Sequence, residues 1–355
     1  MNREDIIFPG ETIKELLEEN NLTQDDLARK LRVNLKTVNE MINGKGVITN
    51  ETAFKLGTIF DLPASFWNNL EFNYRKKLKD LEDEEKINQE YELIKDIYNE
   101  IANRNWVPKT KNKKEKVDNI KRYLRIPDFE SIEDEYAKIA CRKSEIKNFS
   151  KVNLILWVQY ALREANKIET KNFDKDNINN SIEKVKKLTL YEDQPKAREE
   201  LKEWCAQNGI VLVYNKQLKN TAIQGIAKWI TPEKALIALS DRRKRVDTFW
   251  FTFMHELGHL LYGRKKEFYI ETEDITISQD EEEIANDYAI RKLVNKRKYN
   301  ELLKNIIISQ EMKKDILEFA NSNSIAPDIV VGLLEHDLQK YDLKVFNSLT
   351  RKLEF

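Results

Sequence analysis

The stretch FWFTFMHELGHLLYG, residues Phe249 to Gly263, is largely apolar and carries two of the three histidines of the 355-residue chain. On a helix, His255 and His259 are four residues apart, so their imidazoles leave the same face and can converge on one metal ion. Glu256 lies beside them, within reach of a water molecule at such an ion. The surrounding apolar residues predict a buried helix, and buried polar side chains need a compensating interaction. We therefore favour a metal site over core histidines that are satisfied by local hydrogen bonds.

The charge and cysteine content exclude several classes of protein. The 61 basic and 61 acidic residues cancel, so no overall field directs the chain to nucleic acid or to a membrane. Many charged residues with few glycines and prolines favour a helix-rich protein over a β-sandwich or a disordered chain. Together with the three short strands described below, this predicts a mainly α fold with a small β-sheet, of the α+β class. Cys141 and Cys205 are too few for a disulfide framework, and as buried bystanders they are not expected to react. Because no secretion signal or bilayer-spanning apolar run is present, we expect a cytoplasmic protein without a membrane partner.

The first segment of the chain has the pattern of a helix-turn-helix. Thr23 can cap a helix from Gln24 to Leu31, and a short turn leads to a further helix, Leu35 to Asn43. The second of these helices has apolar residues on one face and polar residues on the other. This arrangement is typical of a domain whose second helix enters the major groove of DNA.

The opening of the chain resembles the HigA-type antitoxin branch of the XRE helix-turn-helix family. The similarity covers about residues 1–78 and is carried by FPGE at Phe8, INGK at Ile42, AFKL at Ala53 and FWNNL at Phe66. The chain departs from this pattern at Arg32, where glycine is common in the turn. A left-handed conformation at that residue costs about 1 kcal/mol.

The charge balance of this domain limits how it can bind DNA. Residues 1–78 hold 11 basic and 12 acidic residues, so there is no general surplus of positive charge for phosphates. A helical domain with protein contacts alone is the alternative. If the domain binds double-stranded operator DNA, it is expected to do so as a homodimer that reads two half-sites. The residues expected near bases or phosphates are Gln24, Lys36, Thr37, Asn39, Asn43 and Lys45.

The middle of the chain, residues 79–190, reads as a helical connector. Charged residues alternate with scattered apolar positions up to Asn103, and residues 104–125 hold 9 basic and 2 acidic residues. A solvated linker is favoured over a phosphate-binding surface because only Trp106 interleaves an aromatic ring with the lysines. Val152 to Leu162 and Ile178 to Leu190 predict further helices.

Three short β-branched or apolar runs precede the histidine helix and predict a small sheet: Ile210 to Tyr214, Ile223 to Trp229 and Ala235 to Ser240. A catalytic zinc site also needs a third protein ligand. The candidates are His336 and the acidic segment 267–283, which has eight acidic residues and no basic one.

HELGHLL at His255, followed by EEIANDYA at Glu282, resembles the ImmA/IrrE family of metallopeptidases. The resemblance covers roughly residues 190–340, and it implies a zincin-like domain of the gluzincin type over residues 191–355. It further implies His255, His259 and Glu282 as the ligands of Zn²⁺, with Mn²⁺ as the alternative, and Glu256 as the catalytic base. Glu281 or Glu283 takes the place of Glu282 if the register differs by one. The oxyanion candidates are Tyr262, Tyr288 and His336.

Two functions follow as hypotheses. The first is a DNA-binding regulator with a zinc-dependent endopeptidase domain that acts on a protein of its own regulatory or toxin-antitoxin circuit. The alternative is a HigA-like antitoxin and repressor that neutralises a cognate toxin by binding, without proteolysis. Retention of Glu256 favours the first hypothesis, since a structural metal site has no need of that carboxylate.

Overall fold

A computed structural model describes residues 8–132, 149–263, 269–272, 279–306, 311–338 and 348–354. Cys141 and part of the acidic segment 267–283 lie outside these residues. The chain forms two compact units, Met1–Leu93 with Thr110–Val117 and Ile94–Lys109 with Asp118–Phe355. The helices are α1 Pro9–Glu19, α2 Gln24–Leu31, α3 Leu35–Ile42, α4 Asn50–Phe60, α5 Ala64–Ile94, α6 Tyr98–Asn103, α7 Lys113–Leu124, α8 Lys151–Ala165, α9 Lys175–Leu188, α10 Gln194–Gln207, α11 Val246–Tyr262, α12 Gln279–Leu293, α13 Lys296–Asn305, α14 Met312–Asn323 and α15 Pro327–Asp337.

The first unit is all α, as predicted, and α2 begins where the sequence indicated. The Thr23 side chain accepts a hydrogen bond from the backbone N–H of Asp26, and the Asp26 carboxylate accepts one from the backbone N–H of Thr23. This reciprocal pair satisfies donors that the first turn of a helix leaves open. A common core holds the helices together, built from Ile13, Leu17, Leu27, Leu31, Val38, Ile42, Leu56 and Trp67.

The turn between α2 and α3 contains a left-handed residue. Arg32 has φ 58° and ψ 46°, the conformation that the sequence analysis considered at this position. The Arg32 backbone N–H donates to Arg29, and that of Val33 donates to Ala28, so the last carbonyls of α2 are satisfied. The Asn34 side chain then caps α3.

The second unit contains a four-stranded sheet in the order β1-β3-β2-β4. The strands are β1 Ile210–Tyr214, β2 Ile223–Thr231, β3 Lys234–Leu239 and β4 Tyr269–Thr272. β1 pairs with β3 in parallel, whereas β2 is antiparallel to both β3 and β4. The first three strands were predicted and the edge strand β4 was not. The mixed α and β content confirms the predicted α+β class.

Two helices from the predicted connector belong to the core of the second unit. α8 packs on β1 and β3. The apolar face of α9, consisting of Ile178, Ile182, Val185 and Leu188, joins the hydrophobic cluster that surrounds α11. The limits of the three predicted domains stay predictions, but these helices lie within a compact unit together with the sheet.

Arg351 helps to hold the carboxyl-terminal segment, residues 348–354, against the rest of the second unit. Arg351 forms two contacts with the buried carboxylate of Asp328, at 2.7 and 3.0 Å. It also donates to the backbone carbonyls of Thr189 and Tyr191, both at 2.8 Å. A guanidinium shared in this way joins three segments that are distant in sequence. In the described residues no helix has the length and hydropathy needed to cross a bilayer.

Candidate functional site

The predicted metal-binding residues lie on α11, which is buried along nearly its whole length. His255, Glu256 and His259 have at most 2% of their surface exposed. Their burial follows from the apolar residues around them, since Trp250, Phe253 and Leu257 are also fully buried. Three polar side chains in such a helix must find their partners inside the protein.

Glu282, on α12, meets both histidines. One carboxylate oxygen lies 3.3 Å from His255 Nε2, and the other lies 3.4 Å from His259 Nε2. The two Nε2 atoms are 2.9 Å apart. One potential ligand atom from each of the three residues lies within 4.8 Å of the other two. In the described part of the chain, Glu281 and Glu283 do not join this group.

α12 reaches the histidines because it packs closely on α11. A Cβ atom added to Gly258 would lie 3.0 Å from the Cα atom of Ala285, so the two helices approach through their smallest residues. Glu282 lies one turn before that contact. The closeness of the helices therefore brings the carboxylate to the imidazoles.

Asn286 is a site residue whose role was not predicted from the sequence. Its side-chain oxygen lies 2.9 Å from His255 Nδ1. In a neutral imidazole, an Nδ1–H that donates to this oxygen leaves Nε2 with its lone pair, the form that binds a metal. The signal in the sequence was spacing, because Glu282 and Asn286 are four residues apart and share a helix face.

Burial and hydrogen bonding set the charges of these groups. Burial opposes ionisation of Glu282, but the nearby imidazoles of His255 and His259 outweigh it and lower the pKa of Glu282 to about 2. Burial lowers the pKa of His259, although the Glu282 carboxylate acts in the opposite direction. An ionised carboxylate beside a histidine that resists protonation is the charge state that metal ligands require.

Glu256 points toward the sheet. A Cβ atom built on Gly225 of β2 would lie 2.8 Å from Glu256 Oε1 and 2.7 Å from the Cγ2 atom of Thr252. The strand thus passes so close to the Glu256 carboxylate that only glycine leaves room for it. The close approach of β2 therefore limits where the Glu256 carboxylate can lie.

The three oxyanion candidates have different environments. Tyr288 is buried, and burial raises the pKa of its hydroxyl well above the usual range. Tyr262 is 51% exposed, and its ring packs against that of Tyr288 with centroids 5.6 Å apart. The His336 side chain is 77% exposed and pairs with Asp337. The choice among them for an oxyanion role remains a prediction.

The donor set fits a divalent metal ion. Two imidazole nitrogens and a carboxylate are the ligands of many catalytic zinc sites, which keep a further position open. Three such acceptor atoms gathered in a buried place repel one another unless a proton or a cation lies between them. His255, His259 and Glu282 would hold the ion.

The predicted DNA-contacting residues are spread over α2, α3 and the loop after α3. Lys36, Asn39, Asn43 and Lys45 are exposed, whereas Gln24 and Thr37 are partly buried. The Thr37 hydroxyl donates to the Asn34 side chain at 2.8 Å. The Asn43 amide donates to the Asn39 carbonyl, also at 2.8 Å. Lys36 lies 3.8 Å from Glu40, so an acidic side chain accompanies the single lysine of α3.

Comparisons with known proteins match two separate segments of the chain. Residues 13–67 match the helix-turn-helix family, and residues 205–314 match the IrrE N-terminal-like domain. An uncharacterized HTH-type transcriptional regulator of Haemophilus influenzae is 37% identical over 87 residues, which are 24% of this chain and 79% of that protein. The HTH-type transcriptional regulator YbaQ of Escherichia coli is 38% identical over 64 residues, or 18% of this chain and 57% of YbaQ.

Solved structures resemble the same opening segment. Pseudomonas aeruginosa antitoxin HigA, solved with the higBA promoter, is 34% identical; the match covers 23% of this chain and 90% of HigA, with a TM-score of 0.22. An addiction module antidote protein of the HigA family from Coxiella burnetii is 30% identical over 24% of this chain and 92% of that protein, again with a TM-score of 0.22. The chain belongs to the HTH-type transcriptional regulators, and its helix-turn-helix domain is followed by an IrrE N-terminal-like domain.

Proposed function

We propose that the protein is a DNA-binding regulator whose second unit hydrolyses peptide bonds with the help of a divalent metal ion. The observation that carries this proposal is the convergence of His255, His259 and Glu282 beside the buried Glu256. A structural metal site needs no carboxylate of the Glu256 kind, whereas hydrolysis needs a base. Zn²⁺ is the ion that this donor set favours, and Mn²⁺ is the alternative.

The protein residues have separate parts in the proposed reaction. When bound, the metal ion acts as a Lewis acid that polarises the scissile carbonyl and lowers the pKa of water. Glu256 accepts a proton from the attacking water and passes it to the leaving amine nitrogen. Gly225 gives the Glu256 carboxylate its space, and Asn286 holds His255 in the tautomer whose Nε2 faces the site.

The substrate and the DNA partner belong to the same proposal. The helix-turn-helix domain binds double-stranded operator DNA through α3, as a homodimer on two half-sites. The peptidase substrate is a protein of the same regulatory or toxin-antitoxin circuit. We choose a substrate from the same circuit because the two domains are joined in one chain. The peptidase would therefore be present where the DNA-binding domain acts.

A second candidate function is an antitoxin-type repressor that neutralises a cognate toxin by binding alone. The helix-turn-helix domain supports it, because that domain has a hydrophobic core of its own.

One experiment separates the two functions. Metal content and cleavage of a co-expressed protein encoded next to this gene are measured for wild type, Glu256→Gln and His255→Ala. The peptidase proposal expects about one zinc per chain in wild type and Glu256→Gln, with cleavage by wild type alone. Equal repression or toxin neutralisation by all three proteins, with no cleavage by any, supports the binding function instead.

A further inference from the structure

The unit formed by Ile94–Lys109 and Asp118–Phe355 contains a cavity whose lining residues are not those of the metal site. Its volume is about 630 Å³, within the usual range of small-molecule sites. The segment around Trp106, the helix α8, the first turns of α10 and the end of β1 form its walls. None of its lining residues belongs to the group formed by His255, Glu256, His259 and Glu282.

One wall of this cavity is aromatic. Trp106 stacks on Tyr160, with ring centroids 4.5 Å apart and planes inclined by 15°. On the same tryptophan, Tyr123 lies nearly parallel at 6.1 Å. Arg104 is 5.5 Å from the Trp106 ring and is fixed by hydrogen bonds to the carbonyls of residues 216 and 217, at 2.8 and 2.9 Å. A rigid wall of rings with a guanidinium at its edge favours a planar aromatic ligand.

The remaining walls carry more basic than acidic groups. The basic side chains are Arg104, Lys196, Arg198 and Lys216, and the acidic ones are Asp193 and Glu199. Asp193 caps α10 and Glu199 pairs with Lys202 at 2.8 Å, whereas Arg104 pairs with Glu100 at 2.5 Å. Arg198 is 91% buried, since only 9% of its surface is exposed, whereas Lys196 and Lys216 lie exposed at the rim. The cavity therefore favours an anion that the two lysines can reach from solvent.

We propose that this cavity binds a free nucleoside phosphate. The base would lie along the wall formed by Trp106 and Tyr160, and the phosphate would meet Lys196 and Lys216. The volume suits a single nucleotide and is too small for a nucleic-acid strand. The site goes beyond the proposed peptidase and DNA-binding functions and does not depend on them.

One side chain links the cavity to the helix that carries the metal ligands. Tyr214 lines the cavity, and its ring packs on that of Phe249 with centroids 5.6 Å apart. Phe249 lies on α11, six residues before His255. A bound nucleotide would thus contact a side chain that supports the beginning of the metal-binding helix.

Calorimetric titration of the full-length chain tests the proposal. The probes are the four ribonucleoside diphosphates and the four triphosphates, with adenosine and inorganic phosphate as half-ligands. At least one nucleotide should bind 1:1 with a Kd below about 100 μM, and each half-ligand at least about tenfold more weakly. Lys196→Ala/Lys216→Ala should raise the Kd of that nucleotide by at least about tenfold, the loss expected for charge-assisted hydrogen bonds.

Matched variants keep the result interpretable. Lys184→Ala/Lys187→Ala removes two lysines from α9, outside the cavity, and should leave the Kd unchanged. If the cavity double variant fails to fold by circular dichroism, Lys196→Gln and Lys216→Gln are measured singly, with about a threefold rise expected for each. The proposal is overturned if no nucleotide binds below about 1 mM, if both double variants bind like wild type, or if inorganic phosphate binds as tightly as the nucleotide.

Discussion

The side-chain oxygen of Asn286 lies 2.9 Å from Nδ1 of His255, on the side of the imidazole opposite to the nitrogen that faces Glu282. Together with the contact between Glu282 and His255, it connects α12 to α11 at two points, because Glu282 and Asn286 are one turn apart on the same helix. Glu282 meets the metal-facing nitrogen and Asn286 fixes the ring. Partners of this outer kind tune metal affinity in many metalloproteins.

Asn286→Ala should therefore weaken metal binding by roughly 10- to 100-fold. Competition with a chromophoric chelator measures the change. Asn286→Asp keeps an acceptor at the same place and should retain most of the affinity. Asp287→Ala is the control on the same helix, since Asp287 pairs with Arg291 and Lys296 away from the site. Equal affinity of Asn286→Ala and wild type would contradict the role given to this residue.

The identity of the third ligand can be tested by three neighbouring substitutions. Glu282→Gln should lower zinc content well below one per chain, because its carboxylate is the one that lies within 3.4 Å of both histidines. Glu281→Gln and Glu283→Gln make the same chemical change at adjacent positions and should keep the metal. Elemental analysis of the three purified proteins decides the matter. Loss of zinc in either control with retention in Glu282→Gln would move the ligand by one residue.

Gly225→Ala should reduce peptide hydrolysis while leaving the metal in place. The added methyl carbon would lie 2.8 Å from Glu256 Oε1, so the carboxylate must shift away from its position. A misplacement of about 1 Å can lower a rate by about 100-fold, and we expect a loss of this order. Gln224→Ala, at the preceding strand position, serves as the control. Unchanged cleavage by Gly225→Ala would show that β2 does not position the base.

Local signals explain why some parts of this structure were predictable. Thr23 is a residue type that caps helices, and this local preference located the start of α2 without knowledge of the fold. Likewise, the four-residue spacing of His255 and His259 was enough to predict that both lie on one face of a helix. Such patterns act within one or two turns, so tertiary context has little chance to override them.

The unpredicted parts depend on contacts between distant segments. β4 has only four residues, too few for a strand pattern in the sequence. It forms a strand because it pairs with β2, at Ile223 and Gly225 among other positions. The amphipathic pattern of α9 shows which face is buried, but not that the face meets the core around α11. Asn286 stood in a quoted motif, yet its role depends on a contact that spans 31 positions.

Arg32 allows a test of backbone strain in the helix-turn-helix. Its left-handed conformation costs an L-residue about 1–2 kcal/mol, and the greater freedom of an unfolded glycine offsets about 0.5–1 kcal/mol of that. Arg32→Gly should therefore stabilise the first unit by roughly 0.5–1 kcal/mol, and the β-branched Arg32→Val should destabilise it. Native-state hydrogen exchange of the α2 and α3 amides reports this unit separately from the second. Slower exchange in Arg32→Val than in wild type would contradict the assignment.

The pairing of Lys36 with Glu40 leads to a prediction about DNA binding. The first 78 residues carry no surplus of positive charge, so each lysine that meets a phosphate matters, and Glu40 lies 3.8 Å from Lys36, the single lysine of α3. If Lys36 contacts a phosphate, Lys36→Ala should weaken binding to all sequences alike and reduce the slope of log K against log salt by about 1. Glu40→Gln should act in the opposite direction and strengthen binding at low salt, because it removes the competing carboxylate.

Asn39→Ala should instead lower the preference for the operator over unrelated DNA and leave the salt slope unchanged, since an amide reads base edges without releasing counterions. Gel shifts at several salt concentrations on DNA from upstream of the gene and on a scrambled control measure all three effects. A salt slope that is the same in Lys36→Ala and wild type would remove Lys36 from the interface, and an unchanged operator preference in Asn39→Ala would remove Asn39.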